Sequence, residues 1–314
     1  MINVVFMGTG DIGLPSLRWL IENDATNVVG VFTQPDRPFG RKLVMTPPEV
    51  KTVAQAAGIP VFQPEKLRDS SALTQLRELK PDLIVVMAYG QILKRAVIDL
   101  PTIACINLHA SILPRHRGAS PIQGAIRAGD RESGVTVMYV DVGLDTGDIL
   151  LSETCELTVH ETGGSLHDRL AEIAPVALSK AVPLLVEGSA PRTKQDETEV
   201  TYIGKLNRDH GKLDFTASAT ELERLIRAYH PWPGTYALLN HQKLKIFPQT
   251  EVVPALPEFQ PGMIQEAEGD RLVITCGKGA LALHQVQQEG RKRLDVKSFL
   301  AGHGDQLNPG VLLG

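Results

Sequence analysis

Short, mainly apolar runs recur along the first half of the chain and alternate with stretches of helical spacing. The runs cover residues 2–7, 28–33, 83–88, 105–109, 135–140 and 149–157. Between them, residues 14–21, 49–57, 71–79, a segment opening at Ser120-Pro121, and a long stretch from 162 to about 187 carry helical patterns. Strand and helix alternating in this way predict an α/β fold, a Rossmann-like open sheet. The nearly continuous apolar character of 83–88 fits a strand covered on both faces. Beyond the polar, Pro/Gly-containing stretch 188–207, which reads as a linker, the pattern changes to short β-rich runs at 236–239, 244–247, 272–275 and 281–283. Turn residues separate them, which predicts a small C-terminal β-barrel, OB-like in size. The expected organisation is a catalytic domain over 1–187, a linker over 188–207 and a β-barrel over 208–314.

The stretch around which the chain is organised is Cys105-Ile106-Asn107-Leu108-His109, followed by Ala110-Ser111-Ile112-Leu113-Pro114-Arg115-His116-Arg117-Gly118. Period-two spacing places Asn107 and His109 on one face at the C-terminal end of a strand. Open α/β sheets bind their ligands at that edge. The loop Asp141-Val142-Gly143-Leu144-Asp145-Thr146-Gly147-Asp148, with two glycines and three carboxylates, comes between the next two strands. Asn107, His109 and Asp145 are the parts needed when an amine attacks a carbonyl-type carbon. The His accepts a proton, the carboxylate orients it and supports its cationic form, and the Asn amide donates to a developing oxyanion. Ser111 as a nucleophile lacks a GxSxG elbow and reads better as a loop former. No helix places metal ligands at i and i+4, so no metal is expected.

A rival reading starts from Gly8-Thr9-Gly10-Asp11-Ile12-Gly13 between the first strand and helix. This matches the GxGxxG dinucleotide fingerprint of NAD-dependent oxidoreductases. Thr33-Gln34 stand where the ribose-binding acid would follow the second strand. The glycines then serve only a tight turn and close helix packing, and no NAD is expected. A long loop at 34–48, with four prolines and the basic residues Arg37, Arg41 and Lys42, suits either a phosphate-bearing ligand or plain solvent exposure.

Bulk properties narrow the setting. Net charge is −4, with the excess acid in residues 1–199, so no global attraction to nucleic acid exists. The three cysteines, Cys105, Cys155 and Cys276, include no CxxC pair and fit a reducing, cytoplasmic location. Nothing resembles a membrane span or a secretory leader.

Asn107-Leu108-His109-Ala110-Ser111-Ile112-Leu113-Pro114 with Arg117-Gly118, then Asp145-Thr146-Gly147-Asp148-Ile149-Leu150, resembles the signature of the formyltransferase family that uses 10-formyltetrahydrofolate. Gln34-Pro35-Asp36-Arg37-Pro38 with Gly40-Arg41, Val86-Met87-Ala88-Tyr89-Gly90, and Pro231-Trp232-Pro233-Gly234 extend the likeness, end to end, to members with a C-terminal β domain that act on methionyl initiator tRNA. Ile112 departs from a more usual Leu, a conservative exchange. The resemblance implies that His109 takes the proton from the methionyl amine, Asn107 holds the formyl oxygen and Asp145 positions His109. It implies folate contacts from Ser111, Ile112, Leu113 and Pro114, with Tyr89 and Gly90. It implies tRNA contacts from the loop bearing Arg37, Arg41 and Lys42, and from Arg291, Lys292 and Arg293, for which a solvated turn is the bland alternative. The chain is then expected to be a monomer working without metal or NAD. An amino sugar nucleotide in place of the tRNA, an NAD-dependent oxidoreductase and a non-catalytic RNA-binding protein are the alternatives.

Overall fold

A computed structural model of the chain describes residues 1–40, 43–303 and 306–314. Seven strands form the main sheet: β1 (Ile2–Gly8), β2 (Thr26–Phe32), β3 (Val61–Phe62), β4 (Leu83–Met87), β5 (Ala104–His109), β6 (Glu132–Tyr139) and β7 (Ile149–Glu156). Their spatial order is β7-β6-β5-β4-β1-β2-β3. The chain therefore runs outward through β2 and β3, then returns to the other side of β1. The central pairs are parallel, whereas β5 and β6 run antiparallel, with His109 opposite Thr136. Val4 to Met7 and Leu83 to Met87 are buried, which satisfies the apolar runs read from the sequence. The Rossmann-like open sheet is thus present with one reversed strand at the site side.

The first glycine turn is tight for a packing reason. A Cβ at Gly8 would strike the Phe6 ring and the Met87 carbonyl. The amides of Thr9 and Gly10 both donate to the Ala88 carbonyl, at 3.2 and 3.5 Å. In a dinucleotide fold such amides face a pyrophosphate; here they tie β1 to the end of β4.

The chain forms two compact units, interleaved in sequence. One comprises 1–121, 132–155 and 167–203; the other comprises 122–131, 156–166 and 204–314. Most of the expected linker belongs with the first unit. Its backbone is irregular, yet Tyr202–Ile203 pairs with Arg117–Gly118, and Thr193 bridges Ile149. The 34–48 loop carries a structure of its own, a hairpin pairing Arg37–Phe39 with Val44–Thr46, despite its prolines.

The second unit is built on two four-stranded antiparallel sheets. Leu213, Phe215, Leu244, Ile246, Ile274, Leu283, Val286 and Phe299 are among the side chains that fill its core. Helix Ala219–Ala228 packs Leu222 and Ile226 into that core and starts with a reciprocal cap between Ser218 and Glu221.

Candidate active site

Strand β5 ends with His109 buried at 6% exposure. Its Nε2 lies 3.0 Å from the carbonyl oxygen of His116, and its Nδ1 lies 3.7 Å from Oδ2 of Asp145. A carbonyl can only accept, so Nε2 carries the hydrogen and donates it to His116. In the neutral ring the lone pair is then on Nδ1, the atom that faces the carboxylate. Burial holds the His109 pKa below its ordinary value. The Asp145 charge and the His116 carbonyl favour the cation, but less strongly than burial opposes it, and the His116 ring acts in the same sense as burial. The ring is therefore neutral at physiological pH, with a carboxylate beside its lone pair.

Asn107 sits two residues earlier on the same face, half-buried, and its carboxamide has no hydrogen-bond partner among the described residues. A free amide at a strand end is a donor available to a ligand oxygen.

Asp145 adopts the left-handed region, with φ of 54°. Its Oδ2 accepts from the Gly118 amide at 2.8 Å. Gly118 has φ of 113°, and a Cβ there would collide with the Ile203 carbonyl. Gly147 has the same restriction against the Tyr139 carbonyl, where the Tyr139 amide donates to Asp148 O at 2.9 Å to close the loop. The two glycines in the sequence motif thus let neighbouring backbone come close enough to hold the carboxylate.

The turn after β5 is internally bonded. Ser111 is fully buried, its hydroxyl donates to Arg115 O at 2.7 Å, and its carbonyl accepts from Thr136 at 2.7 Å. Leu113 is buried as well, while Ile112 and Pro114 are half-buried and Arg115 is exposed. Tyr89 packs in the core with Val86, Leu93, Val97 and Cys105, and burial raises its hydroxyl pKa. Its carbonyl accepts from Thr9 Oγ1 and Gln34 Nε2, so it contributes backbone, not ring, to the strand edge. Gly90 is exposed beside it, with φ of 81°.

Of the basic residues, Arg37 is exposed and pairs loosely with Glu65 at 3.7 Å. Arg41 and Lys42 lie outside the described residues. In the second unit Arg291 and Lys292 are exposed, with no ion-pair partner among the described residues, and Arg293 lies over the Phe247 ring at 3.9 Å. Lys243 and Lys245 are exposed on the same sheet, Lys243 over Tyr236 at 4.4 Å. Their alternation with buried Leu244 and Ile246 marks an outward strand face, a signal present in the sequence. Among the described residues no group of three or more His, Cys, Asp or Glu is arranged to hold a metal ion. Among the described residues no helix is long and apolar enough to cross a membrane.

Residues 2–182 match the Formyl transferase family model and residues 205–304 match Formyl transferase, C-terminal domain. A methionyl-tRNA formyltransferase of Akkermansia muciniphila is 48% identical over 307 residues, covering 96% of this chain and 97% of its own. That of Ectopseudomonas mendocina is 45% identical over 315 residues, covering 100% and 98%. Among solved structures, an N-formyltransferase from Helicobacter canadensis in complex with folinic acid and dTDP-3-aminofucose shares the fold. The TM-score is 0.66 at 20% identity, over 90% of this chain and 99% of that one. With both halves matched and relatives of nearly the same length similar throughout, the chain belongs to the formyl transferase family.

Proposed function

We propose that this enzyme moves the formyl group of 10-formyltetrahydrofolate to the α-amino group of methionyl initiator tRNA. The observation that carries the reading is the state of His109: neutral, buried, committed at Nε2 to the His116 carbonyl, with the Nδ1 lone pair beside Asp145.

The methionyl nitrogen attacks the formyl carbon, and the carbonyl pair moves to oxygen. Asn107, whose amide has no partner among the described residues, donates to that oxyanion. His109 Nδ1 takes the proton from nitrogen, and the imidazolium is supported by Asp145 across 3.7 Å. The oxyanion then collapses, the bond from carbon to folate N10 breaks, and N10 receives a proton as His109 returns to neutrality. Formylmethionyl-tRNA and tetrahydrofolate leave, and the enzyme is unchanged.

Ile112, Pro114 and the backbone at Tyr89-Gly90 supply the folate contacts, with Ser111 and Leu113 shaping the turn from within. Arg37, Arg41 and Lys42 meet phosphate near the acceptor end, and Arg291, Lys292 and Arg293 meet the tRNA backbone on the C-terminal domain. The enzyme acts in translation initiation, in the cytoplasm, as a monomer. The relatives' shared name and their similarity along the whole chain support the tRNA substrate over an amino sugar.

The test is transfer from labelled 10-formyltetrahydrofolate to charged initiator tRNA, with a dTDP-amino sugar as the competing acceptor. Label on the methionyl amine supports the reading; label only on the sugar, or on neither, refutes it.

A further inference from the structure

Asp145 holds a left-handed backbone conformation that non-glycine residues adopt uncommonly. Its side chain is tied to Gly118, and its main chain is tied by a residue from the polar stretch read as linker. Gln195 Nε2 donates to both Asp145 O and Gly147 O, each at 2.8 Å. Two hydrogens on one nitrogen thus span the turn that carries the carboxylate.

The orientation of that amide is enforced. Gln195 Oε1 accepts from Arg117 Nε at 2.9 Å, and a guanidinium only donates, so the oxygen must face Arg117 and the nitrogen must face the loop. Arg117 is fully buried. Burial disfavours its charge, but Glu197 at 2.7 Å and the Tyr202 hydroxyl at 3.3 Å more than compensate. Its own amide donates to Thr201 O, and the next residue's amide holds the Asp145 carboxylate. Asp145 is therefore gripped at its side chain and at its carbonyl by groups that converge on Arg117.

We propose that Gln195, oriented by Arg117, is a positioning residue that fixes Asp145 opposite His109. The inference rests on the formyl-transfer reading of the site for its kinetic arm. Gln195 is half-buried on an irregular segment. Two variants separate positioning from simple support of Arg117. Gln195→Glu retains a partner for Arg117, now an ion pair, but turns a carboxylate oxygen toward two carbonyls. Gln195→Met removes all three hydrogen bonds without adding charge. The groups facing His109 are Asp145, the His116 ring and carbonyl, and the neutral Asn107.

In the full-length protein, Gln195→Glu should melt near the parent temperature while kcat falls about tenfold to a hundredfold, the scale for a misplaced catalytic group. KM for the formyl donor should stay within about twofold of the parent, as expected when only transition-state interactions are lost. Gln195→Met should shift the acid limb of kcat/KM, and the His109 imidazole titration followed by NMR, to lower pH as the support of Asp145 weakens. Parental kcat in Gln195→Glu, or an unmoved His109 titration in Gln195→Met, overturns the inference. A parent enzyme without formyl transfer refutes the reading of the site, and the NMR titration then still decides the role of Gln195.

Discussion

Replacing Asp145 by Asn removes a charge with little change in shape. Oδ2 of Asp145 accepts from the Gly118 amide at 2.8 Å and is the same atom that lies 3.7 Å from His109 Nδ1. In Asp145→Asn that amide selects the Asn oxygen for the position, so an oxygen still faces the ring but its charge is gone. Two unit charges at this separation interact by about 4 kcal/mol at an effective dielectric near 20. The Asp145 side chain is 16% exposed, and solvent screening reduces the effect to about 2 kcal/mol. With that charge gone, burial acts on the ring with less opposition and the His109 imidazolium becomes more acidic. The sign follows from the role. A general base works when deprotonated, so kcat/KM rises as pH passes its pKa, and a lower pKa moves that acid limb to lower pH. The plateau rate falls because the base is weaker, by up to about thirtyfold, the rate equivalent of about 2 kcal/mol. Initial rates of formyl transfer from pH 5 to 8 for both proteins would measure the two effects. An acid limb that stays in place or moves upward, or a plateau within twofold of the parent, refutes the electrostatic account.

Gly118→Ala should abolish most activity, since the added Cβ meets the Ile203 carbonyl and displaces the amide that holds Asp145; transfer assays with a melting curve check this. The double change Arg291→Ala and Lys292→Ala should weaken tRNA binding and flatten its salt dependence, by up to about one unit of slope for each lost phosphate contact. Filter binding across a salt series measures it, and an unchanged slope removes these residues from the tRNA interface. Ser218→Ala loses a helix cap in the C-terminal unit and should cost about 1 kcal/mol, read by denaturant unfolding.

The sheet was legible because burial on both faces leaves little room for polar residues, as at Leu83 to Met87, and because Gly8 marks a close backbone approach. Strand direction was not legible. Nothing in the pattern of Val135 to Tyr139 distinguishes the antiparallel partner of β5 from a parallel one. Asn107, His109 and Asp145 stood out by residue type and position. The groups that contact them did not. His116 acts through its carbonyl, for which any residue would serve, and Gln195 lies in a polar run where nothing marks one amide from its neighbours. The Gln195 contacts are decided by long-range folding: Gln195 reaches back 78 residues to Arg117 and 50 to Asp145. Tyr89, expected from the resemblance among the folate contacts, has its ring in the core and its carbonyl at the strand edge.

In the proposed mechanism His109 carries the proton during formyl transfer. The direct measurement is the single-turnover rate of His109→Ala with saturating 10-formyltetrahydrofolate and methionyl initiator tRNA, alongside binding of each substrate. The expected rate is at least about a hundredfold below the parent, with both substrates still bound. A rate close to the parent's would contradict it.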